Sequence, residues 1–175
     1  MKNAIIISGK LVQDHEFIYP YYRLLEEKIN VEVCLLGGKP VSGVLGTTIP
    51  PNKDHKVIDI DDCMPSKYDL LVIPGGALSL MYLRQNKKII NFIVEFNKMK
   101  RTIASICHGP QLLISAQVVK GKKISGYYSI KDDIQNAGAI YVDEPVVTDN
   151  NIITTSHYKY LGQWMKKTIK VLNSS

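Results

Sequence analysis

The sequence is poor in arginine: Arg23, Arg84 and Arg101 are the full set, so lysine supplies most of the formal net charge of +6. Nucleic-acid readout draws on arginine forks and on aromatic stacking along a basic stripe. Here the positive charge is dispersed. Its densest cluster, Lys120-Gly121-Lys122-Lys123, reads as a solvated turn, and no nucleic-acid partner is expected. Cysteine is scarce as well. Cys34, Cys63 and Cys107 are widely spaced and form neither a C-x-x-C pair nor a Cys/His ligand cluster. That argues against a disulfide framework and against a structural metal site. No apolar run approaches the roughly 18 residues of a membrane span. The apolar run after the basic start, Ala4 to Ser8, is too short for a secretory leader. A reducing cytoplasmic setting without a membrane partner is expected. There is no P-loop and no G-x-G-x-x-G, so no cofactor is expected either.

What is present suits a single domain spanning residues 1–175: 45% apolar and 22% charged residues, enough to bury a core without staples. Short apolar runs alternate with helical patterns. Ala4–Ser8, Val31–Leu36, Asp69–Ile73 and Thr102–Ile106 read as buried parallel strands. Glu16–Lys28, Leu78–Arg84, Lys87–Met99 and His108–Ser115 read as helices. In the first of these Pro20 is placed in the opening turn, and Phe17, Tyr21, Leu24 and Leu25 form the inward stripe. Gly43–Ile60 reads as a hairpin or a pair of edge strands. Ala139–Thr155 reads as strands joined at Asp149-Asn150-Asn151. A last helix, Tyr158–Leu172, presents Leu161, Trp164, Met165, Ile169 and Leu172 on one face. The β-α-β-α order predicts an α/β fold, a mainly parallel sheet covered by helices on both sides.

In such a sheet chemistry sits at the C-terminal ends of the strands. Two ends stand out, Ile73-Pro74-Gly75-Gly76 and Ser105-Ile106-Cys107-His108-Gly109. The second is a nucleophile elbow: strand, one reactive residue, tight turn, helix. The N–H groups and positive end of the following helix are expected to lower the thiol pKa of Cys107. The N–H of His108 with that of Gly75 or Gly76 could cradle an oxyanion. Cys34 sits inside an apolar strand and reads as core. Cys63 sits in a loop and is assigned no role.

The stretch Ala104-Ser105-Ile106-Cys107-His108-Gly109-Pro110-Gln111-Leu112-Leu113-Ile114 resembles the nucleophile segment of the PfpI intracellular-protease family, related to the Parkinson-disease protein deglycase, within the class I glutamine-amidotransferase-like superfamily. Four further stretches resemble the family in the right order: Glu16-Phe17-Ile18-Tyr19-Pro20, Asp69 to Gly76, Ile130-Lys131-Asp132-Asp133 with Asn136-Ala137-Gly138, and Tyr141-Val142-Asp143. The resemblance covers nearly the whole chain. It implies a flavodoxin-like three-layer sandwich and homodimers, or hexamers built from dimers. It implies Cys107 as nucleophile, His108 as the histidine beside it, and Glu16 as the carboxyl that approaches the sulfur.

Two departures from the family pattern matter. Protease-like members carry a glutamate a few residues after Pro-Gly-Gly that reaches a neighbouring subunit's histidine; Leu80 stands at that place here. Another acidic position, three before the helix glutamate, is Gln13. Both weaken a triad-type peptidase. His157 follows a late strand and is a candidate basic group for the pocket, with a capping role as the simpler reading; His15 and His55 read as surface residues. Three functions compete. The leading one is a cofactor-free glyoxalase or deglycase acting on a small aldehyde, with Cys107 attacking and Glu16 moving the proton. The second is an intracellular cysteine peptidase or amidase acting on a peptide substrate. The third is a stress-response redox sensor or chaperone-like protein working through oxidation of Cys107.

Overall fold

The structure, a computed structural model, describes residues 1–174. The elements begin with β1 (Asn3–Ser8), α1 (Asp14–Glu26), β2 (Asn30–Leu35), the hairpin strands β3 (Val41–Ser42) and β4 (Thr48–Ile49), and β5 (Val57–Ile58). They continue with β6 (Leu70–Ile73), α2 (Ala77–Leu83), α3 (Lys87–Lys98), β7 (Thr102–Ile106) and α4 (Pro110–Ser115). Then come β8 (Lys123–Ile124), α5 (Lys131–Asn136), β9 (Ile140–Tyr141), β10 (Val147–Asp149), β11 (Ile152–Thr155) and α6 (Leu161–Leu172).

One seven-stranded sheet runs in the order β10-β11-β7-β6-β1-β2-β5. Every pairing in it is parallel except β10 with β11. The strands are apolar on both faces because helices cover both. Side chains alternate across a strand, and the two cores follow that alternation. Ile5, Ile7, Leu71, Ile73 and Ile103 pack with Leu80, Leu83, Ile93, Phe96 and Leu112 of α2, α3 and α4. Ala4, Ile6, Leu70, Val72, Ala104 and Ile106 pack with Phe17, Tyr21 and Leu24 of α1 and Trp164, Met165 and Leu172 of α6. Each fully buried large side chain contributes about 1.5–3 kcal/mol. Trp164 is fully buried, and its Nε1 donates to the carbonyl of Ile153 at 3.3 Å, so its one polar group is satisfied.

The α/β architecture agrees with the sequence reading, and the differences lie at element ends. The first helix begins at Asp14, two residues before the expected start, because the buried Asp14 carboxylate accepts the N–H groups of Leu45 and Thr47 at 2.8 and 3.0 Å and pins the helix start to the β3–β4 hairpin. Pro20 therefore lies inside the helix rather than in its first turn, and cannot supply the N–H that the Glu16 carbonyl would receive. Leu25 is exposed, rotated off the inward stripe that Phe17, Tyr21 and Leu24 form. The Asn150-Asn151 turn joins β10 to β11 as expected, with Asn150 at φ +53°. By contrast, β9 leaves the main sheet and pairs in parallel with β8. Among the described residues no helix is long and apolar enough to cross a membrane.

Candidate active site

β7 is buried along its length and delivers Cys107 at its C-terminal end. Cys107 has φ +60°, a left-handed conformation that costs a residue with a Cβ about 1–2 kcal/mol. Two backbone hydrogen bonds hold it there: its N–H donates to Thr155 O at 2.9 Å, and Tyr127 N–H donates to its carbonyl at 2.8 Å. The turn behind it admits glycine alone. A Cβ on Gly109 would lie 2.5 Å from Ser105 Oγ and 2.6 Å from Ile73 O. The following helix starts at Pro110, two residues later than expected, and runs for 6 residues. Its dipole is correspondingly small, and the local electrostatics come from individual groups.

Glu16, in the first turn of α1, is fully buried against the elbow. Its Oε2 accepts the N–H of Gly75 at 2.8 Å. Its Oε1 is buried without a hydrogen bond of good geometry, and the Cys107 thiol is the polar group that faces the carboxyl. The approach is close because residue 75 is glycine: a Cβ there would lie 2.4 Å from Glu16 Oε2 and 2.8 Å from Cys107 Cβ. Burial pushes the Glu16 carboxyl up to about 7, against the opposing pull of the Gly75 N–H and the thiol.

The Cys107 thiol is also pushed up, first by burial and then by the charge and hydrogen bond of Glu16. The backbone N–H groups of His108 and Gly76 act in the opposite direction and are outweighed. The sequence reading expected a lowered thiol pKa. It is overturned because burial of the thiol, reinforced by the Glu16 carboxyl, outweighs the two backbone dipoles. Cys107 and Glu16 together thus hold at least one proton at neutral pH. The oxyanion assignment also narrows. The Gly75 N–H is committed to Glu16, which leaves those of Gly76 and His108 on the sulfur side.

His108 is half-buried, with Nδ1 3.2 Å from Cys107 Sγ and Nε2 3.1 Å from Ser129 Oγ. Burial lowers its pKa, so the ring is neutral near pH 7. Its ring centroid lies 5.0 Å from that of Tyr127, and a chain of rings continues through Tyr127–His157 at 6.2 Å and His157–Tyr158 at 4.0 Å to His15, 5.4 Å from Tyr158. His157 accepts the Lys159 N–H at 3.1 Å and caps a short 3-10 turn, so it reaches the site through ring contacts rather than as a cation beside the sulfur. Gln13, at the start of α1, lies 3.3 Å through Oε1 from His15 Nδ1. Leu80 is fully buried in the core, pointing away from any role beside His108.

Tyr127 and Ser129 belong to the site, yet sequence reasoning did not single them out. They come from the turn between β8 and α5, where no periodicity or motif marks them. Away from the site, Cys34 is core as expected, but its thiol meets that of Cys63, whose Sγ donates to Asp59 O at 3.3 Å. Cys63 is a free thiol, half-buried rather than exposed. His55 is likewise not a plain surface residue: its Nδ1 lies 3.0 Å from the Tyr21 hydroxyl, and burial lowers its pKa. Among the described residues no group of three or more His, Cys, Asp or Glu side chains converges to hold a metal ion.

The profile of the DJ-1/PfpI family matches residues 2–171. A deglycase of Thermococcus kodakarensis is 37% identical over 169 residues, covering 97% of this chain and 98% of that protein. General stress protein 18 of Bacillus subtilis is 41% identical over 158 residues, covering 89% and 88%. The crystal structure of Drosophila melanogaster DJ-1beta superimposes with a TM-score of 0.87 at 25% identity, covering 98% of this chain and 90% of that one. A family match over nearly the full length, on a fold with a cysteine elbow and a buried glutamate beside it, places this chain in the DJ-1/PfpI family.

Proposed function

We propose that the protein is a cofactor-free deglycase- or glyoxalase-type enzyme acting on reactive 2-oxoaldehydes and their adducts, with Cys107 as nucleophile. The observation that carries this reading is the placement of Glu16: a fully buried carboxyl, raised to about 7, held on Gly75 N–H and facing the thiol. A group with that pKa is half protonated at neutral pH and can both give and take a proton. The deglycase name of the Thermococcus kodakarensis relative supports the substrate class.

The chemistry balances without an external oxidant. The thiol adds to the aldehyde carbon, forming a C–S bond as the C=O π bond opens; its proton passes to His108 Nδ1 or Glu16 and from there to the carbonyl oxygen, which becomes a hydroxyl. The N–H groups of His108 and Gly76, which act on the sulfur, are the donors assigned to the developing oxyanion. Removal of the proton from that carbon, and its return to the neighbouring ketone carbon through an enediol, oxidises the first carbon and reduces the second. The product is a thioester of a 2-hydroxy acid. Water cleaves it, releasing the acid and restoring the thiol. Glu16 is the one carboxyl facing the sulfur among the described residues and is the group assigned to the carbon-to-carbon transfer.

One feature disfavours a triad peptidase: Leu80 supplies no acid to orient His108 or to support its imidazolium. A redox role has one supporting observation, the raised pKa of Glu16 beside the thiol: a carboxyl that keeps its proton would donate it to a sulfinate formed on Cys107 by peroxide. Self-association is supported by the apolar side chains that α2 leaves exposed, Leu78, Met81 and Tyr82. The test is direct loss of methylglyoxal with wild type, Cys107→Ala and Glu16→Gln. Catalytic loss with wild type and at least a hundredfold drop in both variants is expected. A single stoichiometric modification without turnover would remove the carbonyl reading.

A further inference from the structure

His108 stands beside the nucleophile without a carboxylate to orient it. The family position for such an acid is Leu80, which is fully buried in the core. An imidazole that works as a base needs one nitrogen bare toward the proton it takes and the other nitrogen's proton held elsewhere. In this chain the second contact is present but has a different source. His108 Nε2 lies 3.1 Å from Ser129 Oγ while Nδ1 lies 3.2 Å from Cys107 Sγ.

Ser129 is itself exposed, yet its backbone is not free. It lies in the 3-10 turn Tyr128–Ile130. On one side Tyr127 N–H is bonded to the carbonyl of Cys107 at 2.8 Å, and Ile130 N–H is bonded to Tyr127 O at 3.0 Å. On the other side Ile130 is buried, 2% exposed, and packs so tightly that a Cβ on Gly126 would lie 3.0 Å from its Cδ1. The hydroxyl is thus carried on a short, anchored segment tied directly to the nucleophile's own backbone. The titratable groups facing the ring are Cys107 on one edge and Tyr127 on one face, with Glu16 on the far side of the sulfur.

We infer that Ser129 is a positioning residue: its Oγ accepts the Nε2 proton of His108, fixes the Nε2–H tautomer, and leaves Nδ1 as the acceptor for the Cys107 thiol proton. Ser129 replaces, with a neutral acceptor from the same subunit, the acid missing at Leu80. A hydroxyl fixes the tautomer without adding negative charge to a pocket that already holds Glu16. It orients a proton acceptor for a thiol but gives no strong support to an imidazolium. The inference rests on Cys107 being the reacting thiol of the proposed function.

The test uses the whole protein with Ser129→Ala, Ser129→Thr and Ser129→Asp. Three readouts are compared: the ring-nitrogen NMR shifts of His108, the site-resolved rate of Cys107 alkylation by iodoacetamide against pH, and methylglyoxal turnover. In wild type the Nε2–H tautomer dominates. Ser129→Ala mixes the tautomers and slows alkylation at neutral pH about five- to tenfold, the size of one lost hydrogen bond. Ser129→Thr restores both, and Ser129→Asp raises the His108 pKa and moves the pH profile of alkylation to higher pH. An Nδ1–H tautomer in wild type overturns the inference, as does a Ser129→Ala variant with wild-type shifts and rates. Failure of Ser129→Thr to rescue assigns the loss to packing and overturns it too. Absence of turnover with the tautomer and alkylation pattern intact removes the carbonyl reading and leaves Ser129 in its role.

Discussion

Glu16 and Gly75 lie 59 positions apart in sequence and are joined by one buried hydrogen bond of 2.8 Å, from the glycine N–H to the carboxyl Oε2. That bond fixes the carboxyl against the elbow, and burial around it sets the carboxyl's pKa. The raised pKa has a thermodynamic consequence. The folded pKa of about 7 exceeds the ordinary glutamate value of 4.5, so folding takes up a proton between those two values. Glu16's contribution is most favourable below pH 4.5 and is lost as pH rises through 7.

Glu16→Gln removes that dependence. Between pH 4.5 and 8 the wild type is expected to lose on the order of 3 kcal/mol of stability relative to the variant. Urea unfolding of both proteins across this range reads the difference. Parallel stability curves for the two would show that the carboxyl is not raised.

Gly75→Ala places a methyl group where the carboxyl and Cys107 already sit, 2.4 Å from Oε2 and 2.8 Å from Cβ. The expected outcome is destabilisation of about 1–3 kcal/mol, the usual size for overpacking. Turnover should fall because Glu16 is displaced from its N–H partner, while Cys107 alkylation should rise, because the carboxyl that raises the thiol pKa moves away. Unfolding curves and site-resolved alkylation measure the two effects separately.

Leu80→Glu restores the acid that the family pattern leads one to expect, but not its function. The position is fully buried among apolar side chains. An unpaired carboxylate there is expected to cost about 3–5 kcal/mol and to create no peptidase activity. A thermal melt and a peptide-amide assay check both halves. A stable variant that cleaves peptides would mean that α2 can turn the position outward.

Trp164→Ala is expected to cost about 3–5 kcal/mol, since it empties the centre of the face that α6 covers and removes the donor to Ile153 O. Because β11 pairs with β7, the loss should also loosen Thr155 O beneath Cys107. Chemical unfolding gives the first effect, and hydrogen exchange at the Cys107 amide gives the second.

The legible part of this molecule was the part encoded locally. Four strands announce themselves as short apolar runs, and two of them end in Gly75-Gly76 and in Cys107-His108. Position in the first helix carried Glu16 to the correct edge of the sheet. Effects set by distant packing were not legible. Asp14 moved the helix start through bonds to Leu45 and Thr47. Burial of the elbow, reinforced by Glu16, reversed the direction of the Cys107 pKa, a tertiary effect that a view of the elbow alone omits. Tyr127 and Ser129 arrive from a turn whose residues have no pattern of their own. The Cys34–Cys63 contact follows from the pairing of β2 with β5, which places Ile58 beside Cys34 and Asp59, the acceptor of the Cys63 thiol, next along the chain.

The amide of Cys107 is bonded to Thr155, near the end of the chain, and its carbonyl to Tyr127. A chain emerging from the ribosome therefore carries Cys107 long before it has the strand that holds the strained turn in place. Until β11 docks, the cysteine is an ordinary thiol on a flexible segment, remote from the carboxyl and without its backbone restraints. Docking of β11 withdraws that thiol into a site where burial and Glu16 raise its pKa, so a fall in its alkylation rate reports the completed sheet.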